Sequence, residues 1–432
     1  MRSIIHIPTH LVNTRLVFLI ICLIQIVTFF IPQNSCSLQK SGQISFASEI
    51  AQQPAGFGGG NPVEKYPEKV TIRLFSQKKI KKIKLESGRL SLKSDIKKTD
   101  GSRFTISCKD RSGNIFVESG DETKIMNSPV TITSDGIIRT SISGGTPRQF
   151  AGTLIIRSTG EQLIILNRIN FEDYIAGVVK GEMPGGSGEA LAAQAVVARS
   201  FALSNRLRHS SEGFDWCDST HCQYFAGFVE HGSPFSLSAH RTRREVLFAH
   251  NRIVEGFYHS TCGGNTSSSV DVYGQFIPGI DGITDAMPGQ DKTLCKDSPH
   301  FRWSYTISKK ELDSMIKKER QLTNTGSLKS LKIIKTDKGG RIISIRIMGE
   351  NGSFNMSGYD FWQMLGSHLG WGTVESASFL IKDKGNSYEF KGKGLGHGLG
   401  MCQYGAIKLG KTGWNYKKIL KHYFPKAEIR RM

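Results

Sequence analysis

Four stretches of this sequence carry residue types that can do chemistry. The first is GEMPGGSGEA, which holds Glu182. Pro184 restricts Met183 to extended geometry, which predicts Glu182 on irregular chain ahead of a helix rather than inside one. A carboxylic acid so placed can donate a proton and take one back, provided its pKa is raised. The competing reading is a carboxylate that caps backbone amides at a helix start. Asp173, Asp215, Asp218, Asp271 and Asp281 form no obvious pair with it, so nothing points to a two-carboxylate hydrolase. The second stretch is GFDWCDSTHCQYFAG. Cys217, His221 and Cys222 offer three nitrogen and sulfur ligands, and tetrahedral zinc needs a fourth. His259 and Cys262 of HSTCGG are candidates for it. A Cys217–Cys222 disulfide, or two free thiols, are the alternatives. The third is GLGHGLGMCQYGA, where alternating glycines would let backbone approach a ligand beside His397 and Gln403. A hydrogen-bonded structural histidine is the plainer reading of His397, and Cys402 reads as packing. The fourth is the pair Gln223–Tyr224 which, with Trp303, Trp362 and Trp414, could stack on sugar rings, although isolated tryptophans are more often core.

These residues need elements to hold them. Ser187 is a plausible N-cap, Glu189 suits the first turn, and Leu191, Ala195, Ala198 and Ala202 recur at helical spacing. A helix with so small a stripe can sit deep against its neighbours and support the Glu182 loop. EVLFAHNRIVEGFYHS reads as a hairpin turning at His250–Asn251, with Phe257 and His259 on one face of its second strand. Upstream, VTIRLF, KIKLE, FTISC, IFVES, VTITS, IIRTSI and TLIIRS are β-rich segments separated by turn signals, including Asp100–Gly101. Cys108 reads as core. The lysine run at 78–84 either contacts polyanions or protects an edge strand. Downstream come a helix at Lys309–Arg320, strands at 327–337 and 341–349, a helix at Ser357–Leu369 and two short helices at the end. The expected fold class is α+β: a small, basic, all-β N-terminal module at 66–160, then a mixed α+β domain at 161–426 with its core motif at 165–275.

Composition narrows the partners. Fifty-seven Lys and Arg against 37 Asp and Glu give a formal charge of +20, which favours nucleic acid, anionic lipid or acidic wall polymer, if it is more than a solvated surface. No Cys-x-x-Cys pairs, RNP aromatics or helix-turn-helix pattern accompany the charge, so no nucleic acid partner is expected. Arg2 and Arg15 precede an apolar run at 16–32, which makes 1–36 an export signal or an uncleaved membrane anchor, with cleavage possible near Ser45–Ala47. Cys36 is a poor lipoprotein site. The glycine- and proline-rich stretch at 37–65 is a linker. The body of the chain is therefore expected outside the cytoplasmic membrane, where eight cysteines are too few for a disulfide-built scaffold of 432 residues.

FEDYIAGVVKGEMP, AAQAVVARSFAL, GFDWCDSTHCQYFAG and GLGHGLGMCQYGA together resemble, in that order, the SpoIID/LytB family of peptidoglycan lytic transglycosylases and amidase enhancers. The resemblance runs from about Arg148 to Pro425. It implies that Glu182, on the glutamate of the family's Glu-Met-Pro motif, is the catalytic acid and base. It puts Arg199 on the substrate groove, where a guanidinium could hold a muramic carboxylate, unless it is spent on an ion pair to Glu189 or Asp173. It places His397 and Gln403 on a loop bordering the glycan, and makes His209 the best fourth zinc ligand. Ala192 departs from the family, which often has lysine there. The implied partners are peptidoglycan strands, a cell-wall amidase, and the membrane if the N-terminal segment is retained.

Overall fold

The computed structural model describes residues 65–109, 112–206, 208–320 and 325–432. The apolar segment at 16–32, with its export and anchoring readings, and the linker up to residue 64 lie outside the described residues. Among the described helices none is long and apolar enough to cross a membrane.

Strands with one face buried dominate the first hundred of these residues. They are β1 (Lys69–Leu74), β2 (Lys82–Lys93), β3 (Lys98–Ser107), β4 (Ile115–Ser119), β5 (Glu122–Met126), β6 (Val130–Ser134), β7 (Ile138–Ile142), β8 (Arg148–Phe150), β9 (Thr153–Ser158) and β10 (Leu163–Asn170). A two-residue strand, β11 (Trp216–Cys217), completes one sheet in the order β11-β1-β10-β9-β6-β2-β3-β4-β5, with β7 on β2 and β8 on β7. β2 pairs with β3 on one side and with β6 and β7 on the other, so it is not an edge. The lysines at 82 and 84 stand out of a central strand whose Ile83 and Leu85 are buried, which removes the edge-protection reading. Asp100–Gly101, expected to be a turn, lies inside β3.

β10 runs straight into α1 (Phe171–Glu182), and α2 (Gly188–Ser204) follows. This corrects the expectation for Glu182, which is the last helical residue rather than part of a loop. Asn170 caps the helix by accepting the Glu172 amide at 2.9 Å, and nothing in FEDYIAGVVKGE breaks it. The proline restriction falls one residue later, on Met183, which leaves the helix with φ −137°.

Next come α3 (Pro234–Arg241) and the hairpin β12 (Glu245–Ala249) and β13 (Arg252–Ile253). His250 and Asn251 take φ of 49° and 59° at its turn. β14 (Tyr258–His259) is followed by α4 (Ser269–Tyr273). The segment at 303–392 builds its own core from β15 (Trp303–Ser308), α5 (Lys309–Arg320), β16 (Leu328–Thr336), β17 (Ile342–Gly349), β18 (Ser353–Ser357), α6 (Gly358–Leu369), β19 (Phe379–Asp383) and β20 (Ser387–Gly392). The chain then returns to the first core through β21 (Met401–Cys402), parallel to β14, followed by α7 (Gln403–Lys411), α8 (Tyr416–Tyr423) and β22 (Glu428–Arg431), which pairs with β12. The fold is α+β. The larger core is continuous from Tyr66 to Ala427, so the β-rich stretch and the helices share one interior.

Candidate functional site

The site is built where the end of α1 meets the loop that follows β11. Gly177 and Gly181, one turn apart on α1, make the meeting possible. A Cβ on Gly181 would lie 2.5 Å from the Tyr224 carbonyl oxygen, and one on Gly177 would lie 2.3 Å from the Phe225 ring. With only hydrogens there, residues 224–227 lie against the helix, and the Ala226 amide donates to Gly177 O at 3.1 Å. The Tyr224 amide then donates to Glu182 Oε1 at 2.6 Å. The Tyr258 hydroxyl on β14 is the other hydrogen-bond partner of this carboxyl. Gln403, at the start of α7, donates its amide to the Glu182 carbonyl at 3.1 Å and pins the helix end.

Glu182 is half-buried, and among the described residues no cation lies within ion-pair distance of it. Burial pushes its carboxyl up to about 7, although the Tyr224 amide, and the Tyr258 hydroxyl when it donates, favour the charged form. The neighbours sharpen this. Gln223 donates to the Ala198 carbonyl at 3.2 Å, and a carbonyl can only accept, so the amide orientation of Gln223 is set. Its Oε1 therefore faces Tyr258 and takes the hydroxyl proton at 3.1 Å. Tyr258 has one proton for two acceptors. Both are satisfied only when Glu182 is itself protonated and donates to the tyrosine oxygen.

The other expected site residues separate into two groups. Tyr224 is half-buried and lines a cleft of about 510 Å³ with Phe75, Lys78, Arg148, Asp218 and Thr220. Gln223, Gln403 and His397 are buried inside the fold rather than open to a groove. Gln223 and Gln403 hold the Glu182 network from within rather than meeting a ligand. His397 accepts the Leu399 amide on Nδ1 at 3.0 Å and packs edge-on against Phe257 and His259; burial holds its pKa well below the usual histidine value. The open-groove reading of these three is corrected.

Arg199 is also corrected. It is wholly buried because α2 is surrounded on every side. Its guanidinium pairs with Glu172 at 2.6 Å, not with Glu189 or Asp173, and donates to the carbonyls of Ala195, Ala239 and Glu245. Glu172 also accepts from the Tyr66 hydroxyl and the Arg244 amide. Arg199 thus ties α1, α2, α3 and β12 together and orients α1.

The metal candidates converge. The ligand atoms of His209, Cys217, His221 and Cys222 all lie within 4.8 Å of one another. Cys222 Sγ stands 3.4 Å from His209 Nε2 and 3.8 Å from His221 Nδ1, and Cys217 Sγ stands 3.6 Å from His221 Nδ1. Ligands around tetrahedral zinc, at about 2.3 Å for sulfur and about 2.0 Å for nitrogen, stand roughly 3.5–3.8 Å apart, so these residues fit the ion. His209 Nδ1 meets Glu212 at 2.5 Å, the carboxylate support usual for a ligating imidazole. Both cysteines are unbridged. The loop is stitched to β1: Asp215 exchanges hydrogen bonds with Thr71, and Asp218 accepts the amides of Phe75 and Ser76.

Tyr258 was not singled out from sequence. Tyr258 was within reach of strand alternation, since Phe257 and His259 pack against His397 and leave Tyr258 facing the other way.

Comparison with known proteins bears on this region. The family model described as SpoIID, stage II sporulation protein, matches residues 159–249, and a model of a domain of unknown function matches 284–400. An uncharacterized protein of Brachyspira hyodysenteriae is 29% identical over 304 residues, 69% of this chain and 78% of that protein. Stage II sporulation protein D of Bacillus subtilis is 26% identical over 280 residues, 61% of this chain and 75% of its own length. The amidase enhancer of Bacillus subtilis is 26% identical over 294 residues, which is 58% of this chain but only 39% of the enhancer. The SpoIID match contains Glu182, Arg199 and the whole Cys/His loop, so it is this part of the chain, residues 159–249, that is similar to the SpoIID family.

Proposed function

We propose that this protein acts on the bacterial cell wall, outside the cytoplasmic membrane, as a lytic transglycosylase with Glu182 as its single acid and base. The observation that carries the reading is a carboxyl held near pKa 7, free of any ion pair among the described residues, whose neighbours are satisfied when it is protonated. Protonated Glu182 donates to the glycosidic oxygen between MurNAc and GlcNAc as the C1–O bond breaks. The resulting carboxylate takes the proton of the muramic 6-hydroxyl as that oxygen bonds to C1. A 1,6-anhydro ring closes, GlcNAc leaves with its hydroxyl, and Glu182 is protonated again without water being consumed. The cleft lined by Tyr224, Lys78 and Arg148 would hold the glycan; Glu182 is not one of its lining residues and meets it through the Tyr224 amide.

His209, Cys217, His221 and Cys222 would hold one zinc ion. Four protein ligands leave no open position, so the ion would supply rigidity to the loop that delivers Gln223 and Tyr224. Similarity to a protein named amidase enhancer favours a second reading, a non-catalytic wall-binding partner of a cell-wall amidase.

The test is incubation with glycan strands stripped of stem peptides, with anhydro-muramic ends read by mass spectrometry. Glu182→Gln is expected to lose about 100-fold or more of the product. Equal product from both proteins removes the acid–base role. No product from either, with retained wall binding, favours the enhancer.

A further inference from the structure

A second quartet of ligand-type residues lies away from the Cys/His loop. Cys262 follows β14, Asp285 lies in the loop beyond α4, Cys295 sits in the 3-10 turn Leu294–Asp297, and Cys402 ends β21. Their ligand atoms lie within 4.8 Å of one another, and none of the four residues is more than 2% exposed. Cys262 Sγ is 3.1 Å from Asp285 Oδ2 and 3.5 Å from Cys295 Sγ.

Three features mark this as more than packed thiols. Asp285 is a wholly buried carboxylate, and among the described residues no Lys or Arg lies within ion-pair distance of it. Its one strong partner is the Tyr423 hydroxyl at 2.6 Å, which is not enough to offset a buried negative charge. The sulfurs receive backbone N–H groups, Gly264 to Cys262 at 3.3 Å and Cys262 to Cys402 at 3.4 Å, the support that metal-bound thiolates use. Gly263 and Gly264, with φ of 75° and 121°, make the turn that aims one of these amides.

We propose that Cys262, Asp285, Cys295 and Cys402 form a second metal site, which takes one tetrahedral zinc ion in a structural role. Three thiolates select a soft or borderline ion over calcium or magnesium. A span of 4.8 Å suits one ion rather than an iron–sulfur cluster. All four positions are filled by protein and closed to solvent, so the ion does no catalysis. The ion joins β14 and β21 to the turn at 294–297, and so ties the end of the 303–392 segment back to the larger core. The proposal does not depend on Glu182 or on the loop at 209–222.

The full chain, purified in detergent, is analysed for metal alongside Cys222→Ser, Cys295→Ser and the double variant. Wild type is expected to hold about two zinc ions per chain, each single variant about one, and the double variant none. Cobalt substituted into Cys222→Ser should give thiolate-to-cobalt charge transfer and intense tetrahedral visible bands, both absent from the double variant. A Cys222→Ser protein with no bound zinc and no such bands overturns the proposal. So does recovery of Cys262 and Cys295 as a disulfide from chain alkylated without reductant. Should the serine variants fail to fold, native mass spectrometry of the wild type decides: two zinc ions support the second site, and one or none overturns it.

Discussion

Replacing Glu182 with glutamine should stabilise the protein at alkaline pH while abolishing its chemistry. In the unfolded chain the carboxyl ionises near 4.5; in the folded protein it does so near 7. Below pH 4.5 it is protonated in both states, and its environment favours the folded form. Between these values unfolding releases a proton, so stability falls as pH rises, by about 1.36 kcal/mol per pH unit. Above 7 the whole difference, about 3 kcal/mol, has been lost. Glutamine suffers no such loss. Its oxygen can accept the Tyr224 amide, and its NH2 can donate to the Tyr258 oxygen while Tyr258 donates to Gln223, as the protonated acid does. Thermal and denaturant unfolding from pH 4 to 9 should therefore show a variant-minus-wild-type difference that opens above pH 4.5 and levels off above 7. Groups elsewhere in the chain are the same in both proteins, so whatever they contribute cancels in the difference. The wild-type cleavage rate should fall about tenfold per pH unit above 7, because the first step needs the protonated acid. A stability difference that stays flat across this range, or a wild type more stable than the variant at pH 8, refutes the raised carboxyl and with it the acid role.

Three further outcomes are expected. Arg199→Ala leaves Glu172 as an unpaired buried charge and should cost about 3–5 kcal/mol in denaturant unfolding; a cost below about 1 kcal/mol would mean that Arg199 does not organise α1. Gly181→Ala puts a methyl 2.5 Å from the Tyr224 carbonyl, so it should cost about 1–3 kcal/mol and lower the glycan cleavage rate by moving the Tyr224 amide from Glu182; unchanged stability and rate would exclude the close approach. Stripping metal from Cys295→Ser with a strong chelator should lower its melting temperature, reversed by zinc but not magnesium; insensitivity to chelator would exclude an ion at the 209–222 loop.

Where local chemistry decides structure, the sequence was readable. The helices expected at Lys309–Arg320 and Ser357–Leu369 are present, and the structure adds their caps: Ser308 and Ser357 accept the amides of Glu311 and Asp360. His250–Asn251 tolerates positive φ and turns the hairpin. Elements made by distant pairing were not legible. β20 joins β15, some eighty residues earlier, to β19, and its alternation rests on Tyr388 and Phe390 alone before the run ends in Lys391 and Gly392. α1 was hidden by its glycines, which serve contact with residues 224–227 rather than chain breaking. The Cys/His loop was visible because its ligands are close in sequence. Cys262, Asp285, Cys295 and Cys402 come from segments up to 140 residues apart, which spacing cannot reveal. Arg199, Gln223 and Gln403 were found as chemistry-bearing residues but assigned to an open groove. Periodicity suggested one buried stripe on α2, whereas burial on nearly every side turns its arginine inward.

The two thiol-rich clusters gain meaning from where their chains lead. The 209–222 loop continues directly into Gln223 and Tyr224, which set the hydrogen-bond direction at Tyr258 and hold Glu182. Cys402 is followed at once by Gln403, which pins the Glu182 carbonyl, and Cys262 lies four residues beyond Tyr258. A lone acid that must change protonation twice in one turnover needs donors that do not relax as its charge changes. Exposed loops alone would relax. On the proposals made above, one ion fixes the donors arriving from one side, and the other fixes those arriving from the opposite strand pair. The catalytic carboxyl is then left as the one group in the network whose hydrogen bonding is meant to change.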